Sequence, residues 1–276
     1  MRELFTCPVC GQGLAEEPRR WLCPGGHSFD RAAEGYVHLL TPAQMRSKIP
    51  GDPPEMVRAR RDFLASGQYD FLADALAEQL RPILPPEAVI FDAGCGEGHY
   101  TRRIADRLTA GGIRLTPVGV DIAKTAVRMA AKKVPEGRFA VASLYRLPVA
   151  EGVFDAALNI FSPLCAEELA RVLKPGARLL YVVPAARHLY EMKEILYPEP
   201  YENEEKDVEY AGFRLVGWER AEKRMSLSQG ELASLFAMTP YFWRSPREGA
   251  ERLSRREQLE VTAAFRILIY EKKDEE

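Results

Sequence analysis

Long apolar runs are missing from this 276-residue chain. No segment approaches the roughly 18 consecutive apolar residues that a bilayer span needs, and the opening Met1-Arg2-Glu3-Leu4-Phe5-Thr6-Cys7 lacks the apolar stretch of a secretory signal. A membrane or secreted protein is therefore not expected, and the cytoplasm is the expected location. Cysteine is scarce. There are five, an odd number, and three fall within the first 23 residues, which argues against a disulfide framework. Charge of one sign is lacking too. With 38 Lys and Arg against 40 Asp and Glu the net charge is −2, so no global pull toward nucleic acid follows. The one bias is local: residues 1–61 hold nine basic and seven acidic side chains, the remainder 29 and 33.

What is present is an ordinary globular composition, 46% apolar and 28% charged. The length suits one large α/β domain with a small appendage. Residues 1–40 hold turn formers and a cluster, Cys7-Pro8-Val9-Cys10 and Cys23-Pro24-Gly25-Gly26-His27. A Cys-x2-Cys turn lets two thiolates face one ion, and a second pair from a facing turn completes a tetrahedral Cys3His site, for which zinc is the natural occupant. So small a unit cannot build a sufficient apolar core, so the metal must supply much of its stability. Four protein ligands close the site, which implies structure and recognition rather than catalysis. Cys95 and Cys165 lack such partners and read as packing residues.

The proline-rich stretch Thr41–Pro54 reads as a linker, and the apolar spacing from Glu55 to Arg81 predicts two helices broken at Ser66-Gly67. The expected organisation is a zinc-binding β-rich domain over 1–40, a linker and helices over 41–84, and the main domain over 85–276. Within that domain strands alternate with helices: strands at 88–91, 115–120, 138–141, 154–160 and 178–183, helices at 99–108, 124–133, 166–173 and 187–196. Alternation of this kind indicates an α/β fold with a doubly wound, mostly parallel sheet. Residues 201–209 are acidic and read as an exposed loop. Strands at 213–224 and 259–272 around a helix at 229–238 suit an antiparallel edge.

The first strand runs into Asp92-Ala93-Gly94-Cys95-Gly96-Glu97-Gly98. Its glycines permit a tight strand-to-helix turn and close approach of a ligand to backbone N–H groups. The spacing departs from the dinucleotide Gly-x-Gly-x-x-Gly, and Asp121 ends the next strand, where a carboxylate can accept hydrogen bonds from both hydroxyls of a ribose. This combination resembles motif I of the Rossmann-like class I S-adenosylmethionine-dependent methyltransferases. The resemblance implies that Asp92 and Glu97 orient the methionine end or the loop, that Gly94, Gly96, Gly98 and His99 line the cofactor, and that Ala142 and Ser143 lie near the adenine. The fourth strand ends in Asn159-Ile160-Phe161-Ser162-Pro163, which differs from the Asn-Pro-Pro-Tyr of amino-group methylases.

Over nearly its whole length the chain is similar to the large-subunit ribosomal RNA guanine-N1 methyltransferases. The similarity rests on the Cys/His cluster, Glu34-Gly35-Tyr36-Val37-His38-Leu39-Leu40, Pro50-Gly51-Asp52, Gly67-Gln68-Tyr69, Pro184 with Arg187-His188-Leu189, and Met238-Thr239-Pro240 with Trp243. His38 departs from the family's Asn. The resemblance implies methylation of a guanine in a domain II hairpin of 23S rRNA, a zinc module that helps to bind RNA, a homodimer, and Tyr69 and His188 near the cofactor. Guanine N1 lies on the Watson–Crick edge, so the base must be unpaired or drawn from its stack. Asn159 and Phe161 are the candidates to touch it, by hydrogen bonding and stacking, with Tyr145 as another stacking ring. Arg19, Arg20, Arg58, Arg60 and Arg61, and a stripe of arginines from Arg244 to Arg256, are candidate phosphate contacts. Two other readings fit the same motifs: a methyltransferase of a small metabolite with a structural zinc, and a non-catalytic RNA-binding or resistance factor.

Overall fold

The structure, a computed structural model, describes residues 4–45 and 50–274. The first three residues and residues 46–49 of the expected linker lie outside that set. A three-stranded antiparallel sheet, β1 (Ala15–Glu16), β2 (Arg20–Leu22) and β3 (Ser28–Asp30), forms the Cys-rich end. Then β4 (Val37–His38) leaves it. It pairs parallel with the large sheet, Val37 opposite Ala140 and His38 opposite Val141.

Helix α1 (Pro54–Ala65) opens on prolines, whose missing N–H would go unpaired there anyway. It ends at Gly67, whose φ of 76° breaks the path before α2 (Asp70–Leu80). The main domain follows as β5 (Glu87–Ala93), α3 (His99–Ala110), β6 (Arg114–Asp121), α4 (Lys124–Lys133), β7 (Arg138–Val141), β8 (Phe154–Ile160), α5 (Ala166–Val172), β9 (Leu173–Pro184) and α6 (Tyr190–Leu196). The chain ends with β10 (Phe213–Ser228), α7 (Gln229–Met238), α8 (Tyr241–Arg244), α9 (Arg247–Ser254) and β11 (Gln258–Lys272). The eight strands run in the order β10-β11-β9-β8-β5-β6-β7-β4. From β9 to β4 neighbouring strands are parallel, and β10 and β11 close the far side antiparallel, as expected.

The central strands are near-continuous apolar runs because helices cover both faces of a parallel sheet. Ile90, Phe91, Val118, Val120, Ala156 and Leu158 are buried within them. The helix expected from Arg187 begins only at Tyr190, because Leu189 takes a left-handed φ of 52° and breaks the turn. A capping box, Ser228 with Glu231, starts α7. The acidic stretch after α6 is an irregular strap, tied down by buried cations: Lys193 Nζ donates to the Tyr201 carbonyl (2.9 Å) and Asn203 Oδ1 (3.0 Å), and Arg266 pairs with Asp207 (2.6 Å).

The Cys-rich module and the sheet share one core. Phe5, Leu14 and Trp21 belong to the buried cluster that contains Phe91, Val118 and Phe154. Backbone bonds reinforce the join, Thr6 N–H to the Pro148 carbonyl at 2.9 Å and Ala150 N–H to the Leu4 carbonyl at 3.1 Å, and Arg138 pairs with Glu16 at 2.7 Å. Trp21 is 4% exposed and meets Phe5 edge-on with centroids 5.3 Å apart. Trp21→Ala should therefore cost about 3–5 kcal/mol and lower a single melting transition for the whole chain. Trp21→Phe should cost much less, because the indole N–H has no partner among the described residues. Two calorimetric transitions, with the larger one unmoved in Trp21→Ala, would contradict a shared core.

Candidate active site and metal centre

Metal ligands come first in the chain. The Sγ atoms of Cys7, Cys10 and Cys23 and a ring nitrogen of His27 all lie within 4.8 Å of one another. The Cys10 and Cys23 sulfurs are 3.7 Å apart, and Cys23 Sγ is 3.4 Å from His27 Nδ1. A tetrahedron with metal–sulfur bonds of about 2.3 Å has edges of roughly 3.8 Å, so the cage fits zinc and uses His27 Nδ1. All five cysteines are free of disulfides.

The second site lies at the carboxyl ends of β5, β6 and β8, where the loops of a parallel sheet converge. Gly94 and Cys95 both donate backbone N–H to the Val120 carbonyl, at 2.8 and 3.1 Å, which draws the glycine loop against β6. Gly94 (φ 84°) must be glycine, since a Cβ there would stand 2.4 Å from the Cβ of Ser162. Ser162 Oγ itself donates to the Ala93 carbonyl at 2.5 Å and binds the β8 loop to the glycine loop. At Gly96 (φ 52°) the space in front of Cα is open, the condition for a ligand to approach the backbone.

Asp121 ends β6 with one carboxylate oxygen on the Gly96 N–H (3.0 Å) and the other on the Ala123 N–H (2.8 Å). Burial raises its pKa and those two bonds oppose the rise. Each oxygen keeps a lone-pair direction for a further donor, such as a ribose hydroxyl. These features fit S-adenosylmethionine. Asp92 is 2% exposed and accepts from Thr101 Oγ1 at 2.5 Å. Burial pushes it up to about 7, the Thr101 bond opposes this, and the charge of Asp121 adds to it.

Other expected site residues are held in different ways. Glu97 is ion-paired with Lys133 on α4, and its second oxygen, buried, has no partner among the described residues. His99 opens α3 with Nε2 3.3 Å from Asp70, and burial lowers its pKa. Ala142 donates its N–H to the Asp121 carbonyl at 3.1 Å, and Ser143 Oγ receives the Tyr145 N–H at 3.3 Å, so this pair adjoins the end of β6.

Tyr69 is buried edge-on against Phe63 and Phe265, at 5.0 and 5.3 Å. His188 Nδ1 accepts from the Ala264 N–H at 3.2 Å, and burial brings its pKa down to about 3, so the ring is neutral. At the end of β8, Phe161 is 48% exposed with a φ of 58°. That backbone costs a non-glycine residue about 1–3 kcal/mol and recurs at functional sites. Its ring lies 5.0 Å from Phe265 and 6.3 Å from Tyr100. Asn159 is fully buried and donates Nδ2 to the Pro163 carbonyl at 3.2 Å; its Oδ1 and the buried Tyr100 hydroxyl have no partner among the described residues.

Sequence reasoning missed Phe265, the ring on which Phe161, His188 and Tyr69 converge. It sits in a strand some hundred residues further on and carries no local signal. Thr101 was also missed, although its position one turn into the helix after the glycine loop is a usable signal. Because the folded pKa of Asp92 lies above the unfolded value of roughly 4, its protonation adds stability at low pH that is lost as pH rises through about 7. The stability of Asp92→Asn relative to the unsubstituted chain should therefore increase between about pH 4 and pH 7, by at most about 4 kcal/mol. Denaturant midpoints compared across that range check this, and a difference flat in pH contradicts it.

Comparison with known proteins adds the remaining step. Residues 5–48 match the zinc-ribbon family described as RlmA, N-terminal, and residues 90–180 match the methyltransferase domain family. A protein of Micromonospora griseorubida, provisionally named 23S rRNA (guanine-N(1)-)-methyltransferase, is 35% identical over 96% of both chains. The 23S rRNA (guanine(748)-N(1))-methyltransferase of Streptomyces fradiae is 34% identical over 91% of this chain and 90% of its own. A Bacillus subtilis (strain 168) relative, provisionally given the same guanine-N(1) name, is 31% identical over 96% of both. With a zinc ribbon and a methyltransferase sheet in one covering match, the chain belongs to the 23S rRNA (guanine-N1) methyltransferase family.

Proposed function

We propose that the protein transfers a methyl group from S-adenosylmethionine to N1 of a guanine in a domain II hairpin of 23S rRNA. The observation that carries this reading is the joining, on one buried core, of a Cys3His cage and a glycine loop whose neighbouring strand ends in Asp121. When bound, S-adenosylmethionine supplies an electrophilic methyl group. The chain's own residues do the rest. The Gly94–Gly98 backbone and His99 line the cofactor, Asp121 takes its ribose hydroxyls, Ala142 and Ser143 border the adenine, and Asp92 and Glu97 hold the loop in shape. Tyr69 and His188 act through the aromatic cluster that backs the cleft.

Attack through guanine N1 requires that its proton leave and that its edge face the donor. Asn159 Oδ1, without a partner among the described residues, would accept a hydrogen bond from the exocyclic amine and fix the base edge, leaving N1 to face the donor while its proton passes to water. Phe161 would stack on its face. Alignment and exclusion of water are the main contributions asked of the protein. A homodimer working in the cytoplasm belongs to the same reading. None of the described helices is long and apolar enough to cross a membrane.

Labelled methyl should enter unmodified 23S rRNA, as naked RNA, precursor particle or subunit, and not small acceptors; failure with all three RNA forms contradicts the proposal. For the cofactor seat, Asp121→Ala should weaken cofactor binding roughly 10- to 100-fold, the scale of lost charge-assisted hydrogen bonds. Asp121→Asn should fall between. Calorimetric titration reads both, and unchanged affinity in Asp121→Ala would remove that residue from the seat.

A further inference from the structure

Large aromatic rings stand in solvent on α8. Phe236 on α7 meets Phe242 at 5.5 Å between centroids, and Phe242 meets Trp243 edge-to-face at 5.0 Å. Phe242 is 45% exposed and Trp243 66% exposed. Their neighbour Tyr241 turns inward onto the core cluster that holds Tyr69 and Phe265. A bond from Ser245 Oγ to the Tyr197 hydroxyl at 3.1 Å pins the short helix in place. The rings are thus presented on a fixed support, and an exposed aromatic patch of this kind calls for a partner.

Topology puts the patch on the substrate side. Phe265 pairs with Pro184 at the carboxyl end of β9, and Ser228 pairs with Gln258 further out along the same hairpin. The hairpin that carries residues 229–257 therefore projects past the edge of the sheet where Gly96 and Phe161 also lie. Charge supports a polyanion there. Residues 241–256 contain Arg244, Arg247, Arg252, Arg255 and Arg256 against Glu248 and Glu251, a local +3 in a chain of net −2. Arg247 is paired with Glu251 and Arg252 donates to the Ile195 carbonyl, whereas Arg244, Arg255 and Arg256 are exposed and form no ion pair among the described residues. A two-fold contact between copies would set this +3 against itself.

We propose that Phe242 and Trp243 are a stacking platform for unpaired bases beside the target guanine, with Arg244, Arg255 and Arg256 on the neighbouring phosphates. The proposal rests on the RNA reading above and extends it. Drawing one guanine from its stack leaves the flanking bases without a neighbour, and an aromatic face replaces that neighbour whatever the base.

The test uses the full-length, zinc-loaded protein with two labelled RNAs of equal length, the 23S domain II hairpin and a fully paired duplex. Trp243→Ala should weaken hairpin binding roughly 5- to 150-fold, the range for one stacked base, leave duplex binding and the melting temperature unchanged, and raise KM for RNA but not for cofactor. Trp243→Phe should restore most of the loss. Equal hairpin affinity in Trp243→Ala, with the unsubstituted protein still methylating the hairpin, overturns the platform alone. An equal loss on both RNAs also overturns it. Conversion of a dimer to a monomer with unchanged RNA affinity assigns the patch to a second copy. An unsubstituted protein that neither binds nor methylates the hairpin overturns both the platform and the RNA reading.

Discussion

The Asp121 carboxylate holds together the two turns on which the rest of the site depends. One oxygen fixes the loop after β5 through Gly96, and the other fixes the start of α4 through Ala123. Parallel strands deliver these turns side by side because β5 and β6 pair in register from Glu87–Arg114 to Ala93–Val120. A shift of that register would carry the Val120 carbonyl away from the two N–H groups of Gly94 and Cys95. The carboxylate proposed to hold the ribose is thus also the bridge that sets the loop geometry.

Much of this was legible in the sequence, and the legible parts are local. Cys7, Cys10, Cys23 and His27 declare a metal cage because thiolates two residues apart share a turn. The glycine loop and Asp121 announce themselves because a cofactor seat in a parallel sheet forms at successive strand ends. What remained hidden depends on contacts between distant segments. Two residues, Val37 and His38, carry too little pattern to reveal that they pair with the edge of the large sheet. Phe265 looks like any core residue of a strand until folding brings Phe161, His188 and Tyr69 around it. The late start of α6 follows from the left-handed turn at Leu189, a branched residue that advertises no such conformation. The pairing of Glu97 with Lys133 reaches across to another helix, so the carboxylate expected to face the cofactor is also a packing element.

In the proposed reading, the zinc module and the aromatic surface on α8 present different kinds of contact to the RNA. The module is joined rigidly to the sheet by Phe5, Leu14 and Trp21, so whatever it grips is held at a set distance from Asp121. The Phe242–Trp243 face, in contrast, offers π surfaces with free guanidinium groups nearby, suited to bases out of their helix. Phe161, at the end of β8, stands half exposed on a strained backbone. A substrate that is paired at one end and opened at the other, as a hairpin loop is, matches this division.

The proposed reaction moves the methyl group to one guanine N1 in 23S rRNA. Primer extension on 23S rRNA from treated and untreated samples tests it most directly, because N1 methylation blocks Watson–Crick pairing and halts reverse transcriptase. The account predicts a new, cofactor-dependent stop beside a single guanine in a domain II hairpin. Methyl incorporation with no such stop, or with stops scattered over many bases, would contradict it.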